Sequence, residues 1–86
     1  MPEISRFFGI VIVMYYRDHA PPHFHATYGE HGGQVRISPV SLLAGGLPPR
    51  VLALIVEWAS RHQAELLANW DRLEGGRPLV RIPPLE

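Results

Sequence analysis

Cysteine is absent from this chain. Disulfides and thiolate ligands are therefore excluded, and any metal must be held by imidazole, carboxylate, carbonyl or water. Net charge is absent as well: eight Lys and Arg side chains balance eight Asp and Glu, so no whole-molecule field draws the chain to nucleic acid or anionic lipid. Met1 to Arg6 lacks the basic, apolar and small-residue order of an export signal, and the apolar run over residues 7–16 is too short to span a bilayer. A cytoplasmic protein with no membrane insertion is the expectation. Repeats, linkers and low-complexity segments are missing too. Gly32-Gly33 and Gly45-Gly46 read as turn glycines, not as a loop that cradles phosphate.

What remains is 86 residues, 47% hydrophobic and 19% charged. That composition folds, and the length supports one core, hence a single domain over 1–86. Residues 7–16 are β-branched and aromatic without polar alternation, the pattern of a strand apolar on both faces. One face carries Phe7, Val11, Val13 and Tyr15, the other Phe8, Ile10, Ile12, Met14 and Tyr16. Residues 23–28 alternate, sending His23, His25 and Thr27 to one side and Phe24, Ala26 and Tyr28 to the other. Gly29 to Gly33 reads as a hairpin loop, followed by a strand with Val35 and Ile37 opposite Gln34, Arg36 and Ser38. Pro39 to Gly46 is irregular or one short extra strand.

Leu47-Pro48-Pro49 starts a helix, since proline has no N–H to lose in a first turn. Val51, Leu52, Ile55, Trp58, Ala59, Leu66, Trp70 and Leu73 share one side of it, Glu57, Arg61 and Glu65 form a ladder on the wet side, and Gly75-Gly76 ends it. A helix over residues 49–74 would be about 39 Å long, too long for a domain of this size unless it overhangs or bends around Arg61-His62-Gln63. The tail, with Leu79, Val80 and Ile82 between prolines, offers one more edge strand. The fold class is α+β: a three- to four-stranded antiparallel sheet packed against one long C-terminal helix.

The chemistry concentrates in "DHAPPHFHATYGEH", residues 18–31, with four of the five histidines. His23 and His25 on one strand point the same way about 7 Å apart, and can share one ion with Asp18, His19 or His31 reaching in from flanking loops. The divalent candidates are zinc, nickel and manganese. Without an ion, His23 or His25 would transfer a proton on RNA or a phosphoester while Arg36 balances phosphate charge. Against both stands the plain reading of polar residues on a solvated sheet face, with Asp18 and His19 making turn hydrogen bonds. A binding module is the third reading: Phe8, Ile10, Ile12, Met14 and Tyr16 offer more apolar surface than one helix covers, and Trp70 lies on the overhang.

"ISRFFGIVIVMYY", "DHAPPHFHATYGEH", "LPPRVLALIVEWA" and "ELLANW" resemble the consensus blocks of a bacterial family known as domain of unknown function DUF4160, over Ile4 to Leu85. The resemblance brings no catalytic residue. It implies a small prokaryotic cytoplasmic protein, often encoded beside another small protein in a toxin–antitoxin-like pair. The expected function is accordingly protein association, as a homo-oligomer or with an operon-encoded partner. A histidine-dependent ribonuclease or metal-dependent phosphoesterase is the alternative.

Overall fold

The computed structural model describes residues 2–86. Five strands run as an antiparallel meander in the order β1-β2-β3-β4-β5, followed by two helices. They are β1 (Glu3–Phe7), β2 (Ile10–Val13), β3 (His23–Tyr28), β4 (His31–Ile37), β5 (Val40–Gly46), α1 (Pro49–Arg61) and α2 (Gln63–Glu74). The α+β class with one antiparallel sheet agrees with the sequence reading. The strand and helix counts do not: five strands replace three or four, and two helices replace one.

Three local features account for the difference. The apolar run over residues 7–16 is not one strand, because the chain reverses at Phe8-Gly9, where both residues take positive φ (49° and 78°). That is the backbone of a two-residue hairpin turn. The reversal breaks the parity of the run, so Phe7 packs against Trp58 with ring centroids 5.3 Å apart while Phe8 projects outward. In the next hairpin only Gly29-Glu30 forms the turn; His31, Gly32 and Gly33 are already strand, paired with Tyr28, Thr27 and Ala26. Pro39 then ends a turn, and Val40–Gly46 pairs with β4 as β5, with a bulge at Leu43 where the register shifts.

The long helical pattern divides at His62, whose φ of −123° and ψ of 25° lie outside the helical region. This is the expected bend position, but the break is complete. A straight helix of about 39 Å would exceed the 34 Å longest dimension of the molecule, and the break folds α2 back onto the core. The expected ladder is split with it: Arg61 pairs with Glu57 at 2.7 Å, whereas Glu65 turns to the His62 imidazole.

The core lies between one sheet face and the two helices. Ile10, Ile12, Phe24, Ala26, Val35 and Ile37 come from the sheet, Met14 from just beyond β2, and Val51, Ile55, Trp58, Ala59, Leu66, Trp70 and Leu73 from the helices. The association face expected from sequence is therefore mostly internal. Ile10, Ile12, Met14 and Trp70 are buried within this chain because two helices cover what one could not; Phe8 and Tyr16 alone of that set are exposed.

The tail forms no strand, yet it closes the β1 edge, the Ile82 N–H donating to the Ile4 carbonyl at 2.8 Å. Asn69, a fully buried polar residue inside the apolar stripe of α2, holds it there. Its amide donates to the Val80 carbonyl (2.8 Å) while its oxygen accepts from the Val80 N–H (3.0 Å) and from Arg72 (2.8 Å). The Trp58 indole N–H adds a bond to the Pro83 carbonyl at 2.8 Å. Ile82 and Leu85 are thereby pressed into the core.

Replacing Asn69 with Leu removes the side chain that pairs the Val80 N–H and C=O, and releases the tail. Asn69→Leu is expected to lose about 2–3 kcal/mol in urea unfolding, whereas Glu57→Ala, which removes an exposed ion pair, changes stability by less than about 1 kcal/mol.

A candidate metal centre at the start of the third strand

The site begins with alternation. Phe24 and Ala26 are fully buried against the helices, so His23 and His25 must stand on the opposite face of the same strand. Their ring centroids are 5.2 Å apart. The cross-strand partners are Arg36 for His23 and Gln34 for His25.

The loop between β2 and β3 supplies a carboxylate. Arg17 adopts a positive φ of 64°, and Asp18 follows with its side chain 15% exposed. One oxygen, Oδ1, accepts the His19 backbone N–H at 3.1 Å. The other, Oδ2, lies 3.0 Å from Nε2 of His23 and 3.0 Å from Nε2 of His25. Two imidazoles thus converge on a single carboxylate oxygen.

The two rings are not equivalent. His25 donates its Nε2–H to Asp18 in a hydrogen bond, lies edge-on to Tyr15 at 4.6 Å, and is partly open to solvent. His23 is 3% exposed and packs against Trp70 of α2 at 5.4 Å. Its Nδ1–H donates to the Pro21 carbonyl at 2.7 Å, an assignment that follows because a carbonyl can only accept. Nε2 of His23 makes no hydrogen bond among the described residues; its one polar contact is Asp18 Oδ2 at 3.0 Å, an ion pair when the imidazole is protonated.

Asp18, His23 and His25 therefore present three ligand atoms within 4.8 Å of one another. Metal bonds of 2.0–2.1 Å at tetrahedral to octahedral angles place neighbouring ligand atoms roughly 2.8–3.4 Å apart, a range that contains both 3.0 Å separations. The Pro21 carbonyl fixes the His23 ring with Nε2 turned toward the carboxylate, the outer-shell arrangement that metal-ligating histidines use.

Burial pushes the Asp18 carboxyl up. The hydrogen bond from His25, the charge on His23 and the His19 N–H outweigh that penalty, and the carboxyl is held below its ordinary range. The ionised state is thus the one the site is built around.

The remaining sequence candidates divide. His19 stands beside the site, its Nδ1 3.6 Å from Asp18 Oδ1 and its side chain 93% exposed. His31 does not take part: it pairs with Tyr28 at the far end of β3, about 16 Å along the strand from His23. Arg36 is the direct cross-strand neighbour of His23 on the site face. Sequence reasoning did not find Pro21 as the residue that orients His23, nor Trp70 as its cover. The adjacent prolines before "HFH" were the available signal for a rigid carbonyl at that point.

A family model described as domain of unknown function (DUF4160) matches residues 9–71. No curated protein and no solved structure matches the chain.

Because its folded-state pKa is depressed, Asp18 contributes stability that is complete above the unfolded value of about 3.9 and is lost as pH falls through the lower folded value. In metal-free protein, urea midpoints measured from pH 6 down to pH 2 are expected to fall more steeply for the wild type than for Asp18→Asn. Parallel curves would contradict this.

Proposed function

Since this chain belongs to the DUF4160 family, whose description assigns no activity, we propose that it is a metal-dependent phosphoesterase, with RNA among its candidate substrates. Asp18, His23 and His25 would hold one divalent ion. The observation that carries this reading is the buried Nε2 of His23, without a hydrogen bond among the described residues, beside the Asp18 carboxylate. With its Nδ1–H committed to Pro21, that nitrogen faces an anion across 3.0 Å, so a proton or a metal cation must balance the contact.

The chemistry of the donors fits a first-row divalent cation. Two imidazoles and one carboxylate, with no thiolate, suit zinc, nickel or manganese. Three protein ligands leave coordination positions for water and substrate, and the partly open His25 side gives access. When bound, such an ion would polarise a phosphoryl oxygen and lower the pKa of its bound water.

The chain's own residues do the rest. Asp18 and His23 fix the centre, one from the loop and one from the buried start of β3. Arg36, opposite His23, supplies a permanent positive charge for phosphate oxygens. His19, exposed and adjacent, is placed to give a proton to a leaving oxygen.

A second reading, association within a toxin–antitoxin-like pair, is favoured by one separate observation. β5 is a sheet edge with no sixth strand beside it. Its sequence, VSLLAGG, contains no charge or proline and leaves Leu42 and Leu43 37% and 39% exposed. Natural edges are blunted by charge, proline or bulges; β1 has Glu3, Arg6 and the covering tail, whereas β5 has only the irregularity at Leu43. An open edge of this kind suits a strand from a second copy of the chain or from a small operon-encoded partner.

For the metal reading, untagged protein titrated calorimetrically with zinc, nickel and manganese is expected to bind one ion per chain. His23→Ala and Asp18→Ala should each weaken binding by at least about tenfold. The loaded protein should hydrolyse an activated phosphodiester, and His19→Ala should slow turnover without changing metal affinity. Absence of metal binding, or binding indifferent to both ligand variants, contradicts the proposal. For association, sedimentation across a hundredfold concentration range should show a dimer that Leu43→Lys dissociates; a monomer throughout removes self-pairing.

A further inference from the structure

Next to the centre, on the sheet face away from the helices, lies a groove of about 220 Å³ that shares His25 with it. Tyr15, Thr27, Gln34, Gly32 and Ala44 are among the residues that line it. The register explains the hollow. His25, Gln34 and Ala44 form one cross-sheet row, and Thr27, Gly32 and Gly46 form the next. Where an ordinary sheet would raise side chains, this one has hydrogen and methyl.

Glycine inside a strand weakens it, and such a glycine often marks the close approach of a ligand or of another backbone. At Gly32 no protein backbone requires it. A Cβ built there meets only the Ala26 carbonyl oxygen at 3.9 Å and the Thr27 methyl at 4.0 Å, both ordinary contacts, and its φ is not in the left-handed region. Gly45 differs: its φ is +83° and a Cβ would lie 2.3 Å from the Gly32 carbonyl oxygen. Gly45 is therefore a requirement of the fold, whereas Gly32 keeps a space open.

We propose that this groove receives the base of a nucleotide whose phosphate meets the Asp18–His23–His25 centre. The inference rests on the phosphoesterase reading and adds its substrate class. Apart from His25, which it shares with the centre, no Asp, Glu, Lys or Arg lines the groove among the described residues, a lining suited to a neutral base. The Gln34 amide offers one donor group and one acceptor to a base edge, and the Thr27 hydroxyl offers both. The aromatic ring of Tyr15, standing beside His25, gives a surface for stacking. The phosphate belongs at the other end, where Arg36 stands opposite His23 and where the centre would carry positive charge once it held its ion. Polarity thus changes along the site in the same order as along a nucleotide, from neutral planar base to anionic phosphate.

Gly32→Val gives a test in which folding is preserved, since valine suits a strand and its Cβ has room. Binding of the four ribonucleoside 5′-monophosphates and of ribose 5-phosphate would be measured by NMR titration of zinc-loaded protein. Binding of the four nucleosides would be measured on metal-free protein. At least one monophosphate should bind about tenfold more tightly than ribose 5-phosphate, the size expected for one stacked base. Gly32→Val and Gln34→Ala should erase that advantage while leaving zinc affinity and ribose 5-phosphate binding unchanged. Equal affinity for the base-bearing and base-free probes, or an advantage that survives Gly32→Val, overturns the groove assignment. The nucleoside arm needs no metal: nucleoside shifts confined to Tyr15, Thr27, Gly32 and Gln34 support the groove even where zinc fails to bind. Zinc binding without any nucleoside shift leaves the centre standing and overturns the groove.

Discussion

The two-residue period of β3 is the constraint from which the molecule is arranged. Phe24 and Ala26 are fully buried against Trp58 and its neighbours, and a shift of one residue would exchange them for two imidazoles. Burial of the apolar pair therefore fixes the direction of the polar pair. Four further strands in sequential order and two helices make the core side irreversible, and the opposite side inherits His23, His25 and Thr27 as a consequence. The site follows from the same register that makes the core.

Electrostatics then determines what that polar face holds. Two ring nitrogens stand 3.0 Å from one carboxylate oxygen, and one of them has its tautomer fixed by Pro21. Near Trp70 water cannot screen the contact fully, and an unpaired buried polar group costs about 1–3 kcal/mol. A cation at the meeting point satisfies all three groups together. The rigid start of β3 holds His23 while the more open His25 borders the groove, so structural anchoring and access to solvent fall to different histidines. The groove lined by Gly32 continues the same polar face away from the charge.

Much of this was legible in the residues. The alternation in "HFHATY" put both imidazoles on one face of β3, but the expected solvated face holds for His25 only, since His23 is buried against Trp70. The 3.6-residue spacing of Val51, Ile55, Trp58, Leu66 and Trp70 marked the core stripe of both helices. The break at His62 could be anticipated only as a bend, because the need for it comes from the overall dimensions and not from any proline or glycine nearby. The Phe8-Gly9 reversal was hidden: a phenylalanine at positive φ is contrary to local preference, and the apolar run conceals a turn inside a strand-like pattern. Asn69 was also illegible, since its partner is a backbone segment that only the returning tail supplies. Within the site, Asp18 was among several loop candidates. Its convergence on both rings, and the exclusion of His31, required the register of the β3–β4 hairpin.

The central claim is that Nε2 of both His23 and His25 share one cation while Nδ1 of His23 keeps its proton for Pro21. Long-range ¹H–¹⁵N NMR of the imidazoles during addition of zinc measures this directly. The account predicts that both Nε2 resonances move to metal-bound positions at one equivalent, with the His23 Nδ1–H retained and His31 unmoved. Unchanged imidazole nitrogens, or ligation through Nδ1 of His23, would contradict it.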